Sequence, residues 1–226
     1  MERMLNLKMN NETGEASIYL YGEILGNRKD WKWCEDDMAP KEIIDALRPI
    51  DDASAVDIYF NSPGGDCWGG MAIANELERK KCKKTAHIDG VCASIASVIA
   101  MYCDEIIMPK NAQLMIHKPT VSGWLNANAD GLRKMADRMD ATQNQIVDAY
   151  MRKAIKGKDE IEKLVNEETW FYGSEAADVF NVTVVDEVNI QNCYSPLFDS
   201  YKRRPEEIAI EHERAKLNLL KEIYQK

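Results

Sequence analysis

The chain reads as an α/β protein, on the strength of three observations. Short β-rich runs end in glycine turns and pass into helical segments, in repeated strand–turn–helix order. A 45% hydrophobic and 30% charged composition over 226 residues suits one well-packed domain with an appended segment. A single long amphipathic pattern then breaks the alternation after residue 130. Together these imply a parallel-rich sheet with crossover helices.

Residues 16–24, after the Asn11-Glu12-Thr13-Gly14 turn, form the first expected strand. A loop over 26–40, carrying Trp31 and Trp33, leads to a helix at about 41–48. Val56–Phe60 is the second strand, and the Pro63-Gly64-Gly65 turn feeds a helix from Gly69 to Arg79. Thr85–Asp89 is the third strand, followed by a small-residue helix over 94–102. Two further strands, 103–108 and 113–117, flank Pro109-Lys110-Asn111-Ala112.

Leu132, Met135, Met139, Ile146 and Tyr150 recur at helical spacing, which predicts one helix over about 130–157. Its apolar stripe exceeds what a small core can cover, and this points to self-association. A helix at 159–165, the run Trp170-Phe171-Tyr172, a helix capped by Ser174 and a strand over 182–186 complete the domain, set at residues 1–192. Residues 193–226 read as a polar linker and a helical tail with Ile208, His212, Ala215, Leu219 and Ile223 in register.

Composition also excludes. A net charge of −9 argues against nucleic acid as partner, and no run approaches the roughly 18–20 apolar residues of a membrane span. With polar residues following Met1-Glu2-Arg3-Met4-Leu5 in place of a signal core, the expected location is the cytoplasm. Six scattered cysteines, without a paired motif or nearby histidine, predict reduced buried thiols and neither a metal nor a cofactor.

Chemistry concentrates between residues 61 and 119. Ser94 follows Gly90-Val91-Cys92-Ala93 at a strand-to-helix junction, where the first helical N–H groups have no partner and the dipole is positive. His117 ends a strand shortly after and offers a base. The glycine turn at 64–65 and the Ile95 N–H offer donors for a developing oxyanion. Ser97, one turn into the helix, is expected to bond back to the carbonyl four residues earlier, and Cys92 to pack under the turn. His87, mid-strand, and His212, in the tail, read as structural or exposed.

Ser-Pro-Gly-Gly at 62–65, Gly-x-x-Ala-Ser at 90–94 and Met-Ile-His-x-Pro at 115–119 resemble, in this order and spacing, the proteolytic subunit of the Clp protease (ClpP). The resemblance runs from about Ile18 to Val188. It implies a ClpP/crotonase-type fold of repeated ββα units, with the 130–157 helix as the handle through which rings stack. It also implies Ser94 as nucleophile, His117 as general base, and Gly65 with Ile95 as the oxyanion hole. The family's third member is an aspartate; Thr169 stands at its place, with Glu168 or Glu167 as alternative carboxylates and a Ser–His dyad as the remaining option.

That departure, Trp170 and the long tail resemble the phage and prophage branch, which matures capsid heads without ATP. The expected partners are then a ring of like subunits and a capsid or scaffold protein substrate in a bacterial cell. The alternative is a ClpP subunit fed unfolded polypeptide by a Clp ATPase, since the chain has no phosphate-binding Gly-x-x-x-x-Gly-Lys loop of its own. A crotonase-type acyl-CoA enzyme fits the Ser94/His117 pairing poorly, and a silent ring component is the reading in which Thr169 marks lost activity.

Overall fold

A computed structural model describes residues 8–10, 14–26, 39–48, 53–121, 126–187 and 195–206, with positions 210, 213, 214, 217 and 221 of the tail. The order is β1 (Lys8–Asn10), β2 (Glu15–Tyr21), α1 (Pro40–Leu47), β3 (Ala55–Ser62), α2 (Cys67–Arg79), β4 (Lys83–Ala93), α3 (Ile95–Ala100), β5 (Glu105–Pro109) and β6 (Gln113–Ile116). Then follow α4 (Ala129–Tyr150), α5 (Lys158–Glu167), β7 (Thr169–Tyr172), α6 (Gly173–Ala177), β8 (Thr183–Val185) and a 3₁₀ turn, Pro196–Ser200. The α/β expectation holds, and the sheet is mostly parallel. Trp31, Trp33, Ile208, His212, Ala215, Leu219 and Ile223 lie outside the described residues, and no helix among those described is long and apolar enough to cross a membrane.

The strands run β1-β2-β3-β4-β5-β8, and β6 joins β4 while pairing β7. Only β1–β2 and β6–β7 are antiparallel among these pairs. The long strand β4 organises the site. Its Thr85–His87 stretch pairs with β5, whereas Val91–Ala93 pairs with β6. The change of partner falls between His87 and Val91, a stretch that includes Gly90, and the β3–β4 register shifts between Phe60 and Ser62. The sequence predicts a strand that stops at Asp89, just before this glycine, and glycine inside a strand weakens it. Here the chain passes through it, and that extension carries Ser94 to the mouth of the sheet.

One face of the sheet is the core. Ile18, Leu20, Ile58, Phe60, Ala86 and Ile88 alternate inward at the period of a strand and pack in one cluster with Ile43, Ile73, Leu77, Ile99, Val147 and Tyr150 from the helices. The opposite face is half-buried and aromatic. Tyr19 stacks on Tyr59 and Tyr59 on His87, each pair at 4.7 Å between centroids, while His87 Nε2 lies 2.9 Å from Asp57 Oδ1. His87 is therefore a structural residue of this face, as its mid-strand position predicts.

Caps set the helix starts. The Asp66 carboxylate accepts the Gly69 N–H at 2.7 Å to start α2, and the Asn128 side chain accepts the Gly131 N–H at 2.9 Å to start α4. The long helix stops at Tyr150, short of the predicted 157. Beyond it the chain turns out to pair with residues 179–181, the Ile155 N–H donating to Val179 O and the Asn181 N–H to Lys153 O. These tertiary bonds replace the helical ones that periodicity alone would extend.

Candidate active site

Ser94 sits at the N-cap of α3 with φ 56° and ψ −129°, a positive-φ conformation that non-glycine residues rarely adopt. Strain of this kind costs about 1–3 kcal/mol and persists only where surrounding structure enforces it. Enforcement is visible: the Ser94 N–H donates to Met115 O at 3.0 Å, and the Ser94 carbonyl accepts the N–H groups of Ser97 and Val98. The turn aims the Ser94 hydroxyl away from the helix and toward β6. Its Oγ lies 2.7 Å from His117 Nε2, at the distance needed to pass a proton.

His117 follows directly after β6 and is partly buried. Burial holds its imidazole below the usual histidine range, and the Glu168 carboxylate pulls weakly the other way. The neutral ring that a base requires is thus favoured at neutral pH. Among the described residues, Ser94 is its hydrogen-bond partner.

The glycine turn lies against the serine. Gly64 (φ 97°) and Gly65 (φ 141°) both hold conformations that glycine tolerates. A Cβ on Gly64 would fall 2.6 Å from Ser94 Cβ, and one on Gly65 would fall 2.0 Å from Ile24 O. Ile24 N and O are bonded to Gly64 O and the Asp66 N–H, at 2.7 Å each, so the bridge engages the residues either side of Gly65 and leaves the Gly65 N–H aside. Ile95, first residue of α3, contributes a second N–H with no intrahelical acceptor. Such a pair of donors can hold a negative oxygen.

The expected third position behaves differently. Thr169 pairs with Ile116 in the β6–β7 ladder, beside the base, but its hydroxyl donates to Leu164 O at 2.7 Å, closing the end of α5. It makes no hydrogen bond to His117. Glu168, the alternative, caps α5 in the left-handed conformation (φ 55°), and its Oε1 accepts the Arg203 N–H at 2.6 Å. It acts on His117 only through space. Glu167 lies 3.8 Å from the Arg203 guanidinium. The structure therefore joins Ser94 and His117 and joins neither to a third side chain of the predicted set.

With this geometry in view, comparison with known proteins is decisive. The sequence model of the Clp protease family matches residues 32–190. The chain belongs to that family. An ATP-dependent Clp protease proteolytic subunit 1 of Chlamydia abortus is 26% identical over 167 residues, covering 63% of this chain and 87% of that protein. The protein of the same name from Protochlamydia amoebophila is 27% identical over 134 residues, 58% of this chain and 65% of its own. Membership makes this chain a serine-type peptidase, and its mixed, mostly parallel α/β sheet agrees with the ClpP-type fold.

Two features of this Clp-family site escape a reading of the sequence. The first is a buried polar network behind the nucleophile. Ser97 Oγ lies 2.6 Å from Ser94 O, 2.9 Å from Met115 O and 2.8 Å from the hydroxyl of fully buried Tyr150. Ser97 bonds back to the carbonyl three residues earlier, where four was expected, and it also ties the nucleophile turn to the base strand. Cys92 is fully buried, and burial pushes its thiol well above the ordinary range, in keeping with a packing role. The second is the segment 195–201, which falls in the part of the chain read as linker. Phe198 and Tyr201 form a small buried cluster with Val91, Ala93 and Met115. Leu197 and Phe198 amid polar neighbours were the available signal.

Proposed function

We propose that this chain is a serine endopeptidase working through a Ser94–His117 dyad. Ser94 Oγ attacks the carbonyl carbon of a peptide bond while His117 Nε2 takes its proton. The Gly65 and Ile95 N–H groups receive the oxyanion. The tetrahedral species collapses as the imidazolium hands its proton to the departing amine, leaving an ester on Ser94. A water, deprotonated by His117, then hydrolyses that ester and restores the serine. Glu168 supports the imidazolium through space, and Thr169 holds the end of α5 in place of a third catalytic member. The observation that carries this reading is the 2.7 Å Ser94–His117 contact on a strained turn.

Fluorophosphonate labelling with mass spectrometry tests it. The probe should mark Ser94 in the wild type, and both Ser94→Ala and His117→Ala should abolish the adduct. An adduct at another residue, or one indifferent to His117, would refute the dyad.

Members of the family form oligomeric rings and act on protein substrates. We place this chain in a ring of like subunits, with the exposed half of α4 as the surface for stacking, and assign it to ATP-independent maturation of a phage or prophage capsid. Thr169 at the third position and the long tail after residue 192 support that assignment. The reading as a partner of an unfoldase rests on the names of the relatives, which are ATP-dependent proteolytic subunits. Cleavage of a capsid precursor without nucleotide would support the first; degradation only with a Clp ATPase and ATP would support the second.

A further inference from the structure

The segment 195–203, which contains the 3₁₀ turn, packs against the Ser94–His117 site through Tyr201. Ser195 anchors its start: its hydroxyl donates to Glu23 Oε2 at 2.9 Å and accepts the Leu197 N–H at 3.1 Å. Asp199 pairs with Arg204 at 3.1 Å. Tyr201 then turns inward and is 7% exposed. Its ring meets His117 edge-on at 5.3 Å between centroids and Trp170 at 5.8 Å, and its hydroxyl donates to the carbonyl of Pro63. Two residues on, the Arg203 N–H occupies an oxygen of Glu168.

Attack requires a substrate carbonyl carbon about 3–3.5 Å from Ser94 Oγ. Its oxygen must reach the glycine turn, about 2.7–3.1 Å from the donors. Tyr201 bridges the two walls of that space, from the His117 ring on one side to Pro63, the residue before Gly64, on the other. Burial raises its phenol above the ordinary tyrosine range, and a hydrogen bond with the Ser94 side chain opposes this.

We propose that residues 195–203 are an internal strap that closes the active site, with Tyr201 as the plug over Ser94 and His117, and that the strap must lift before a peptide is cut. The inference rests on the serine peptidase reading. Its physical logic is competition within one chain: a tethered aromatic group holds the cleft at high effective concentration, so a substrate gains access only in the open fraction. Lifting also releases the carboxylate of Glu168 from Arg203 and leaves it free to act on His117. The ends of the strap are tied by Ser195 to Glu23 and by Arg203 to Glu168, and a partner or a cut in the tail that loosens these ties would displace it.

The test uses the full chain and compares the rate of fluorophosphonate labelling in the wild type, Tyr201→Ala and Ser195→Ala. Each variant is paired with a Ser94→Ala control, and a thermal melt confirms folding. A strap predicts faster labelling in both, by about tenfold or more for Tyr201→Ala if the open fraction is a tenth or less. Ser195→Ala loosens the anchor and leaves the aromatic packing untouched, so it carries the test if Tyr201→Ala fails to fold. Hydrogen exchange supplies a second readout: the amides of 197–203 should lose protection once wild-type Ser94 carries the probe. Labelling at the wild-type rate or slower in the folded variants would overturn the strap and make Tyr201 a support for His117, with the peptidase reading intact. Absence of an adduct in every variant, strap loosened or not, would overturn the peptidase reading and the strap together.

Discussion

Ser94 is held by the Met115 carbonyl, the α3 N–H groups and the Ser97–Tyr150 network, with the buried Gly64 so close that a Cβ there would clash with it. His117, its partner, has one hydrogen bond to Ser94 among the described residues and an aromatic edge from a segment far along the chain. The two walls of one site thus differ in how they are secured. The nucleophile wall is over-determined, as a strained backbone requires. The base wall depends on burial, a distant carboxylate and the strap. A rigid nucleophile beside a conditionally held base is an arrangement suited to control, because access and basicity change together when one segment moves.

Breaking the nucleophile wall should have the largest effect. A methyl on Gly65 has to displace the Ile24 carbonyl, so Gly65→Ala shifts the N–H proposed to hold the oxyanion. Loss of one such donor typically costs about 10²–10³ in rate. Labelling of Ser94 should fall by at least that factor, with a lowered melting temperature; an unchanged labelling rate would remove Gly65 from the oxyanion hole.

A step down come the residues behind the serine. Ser97 has one hydroxyl hydrogen for two carbonyls, so the Tyr150 hydroxyl donates to it and completes the network. Ser97→Ala leaves the buried Tyr150 hydroxyl nearly stranded, with only the long 3.5 Å contact to the Ser94 carbonyl, and should cost about 1–3 kcal/mol of stability. Tyr150→Phe added to Ser97→Ala removes the stranded group, and the double variant should be more stable than additivity allows. Denaturant unfolding of the four proteins measures this; strict additivity would mean the two hydroxyls act independently.

On the base wall the expected effects shrink. Thr169→Val keeps the shape of the side chain and removes only its bond to Leu164 O. We expect a loss of about 0.5–1.5 kcal/mol in stability, while Ser94 labelling is retained. A loss of labelling by orders of magnitude with the fold intact would make Thr169 a true third member and collapse the contrast between the walls.

The contrast also accounts for what the sequence made legible. The nucleophile wall is written in local signals: Gly64-Gly65 must turn, and Ser94 follows a strand and heads a helix. Each follows from backbone geometry over a few residues. The base wall is not local. Whether Thr169 faces the imidazole depends on where its hydroxyl finds an acceptor, and that acceptor, Leu164 O, belongs to the end of a helix whose length was predicted only approximately. Tyr201 reaches Pro63 across most of the chain, and no periodicity announces such a contact. Likewise β4 runs through Gly90 because β6 is there to receive it, a tertiary reason that outweighs the glycine.

The smallest effect concerns pH and reads the base wall directly. Only neutral His117 can take the serine proton, so labelling should rise with pH as the imidazole loses its own proton. Burial lowers the histidine below its ordinary value of 6.5, so the acid limb should lie below that of an exposed imidazole. Glu168 opposes burial by favouring the charged ring. Removing its charge in Glu168→Gln should therefore shift the limb further toward acid while the alkaline plateau falls modestly, since the imidazolium formed during attack loses its distant support. A variant that opens the strap should shift the limb the other way, because solvent then reaches the ring and Glu168 is freed from Arg203. If Glu168→Gln leaves the limb in place, the carboxylate does not act on His117, and the base wall rests on burial and Tyr201 alone.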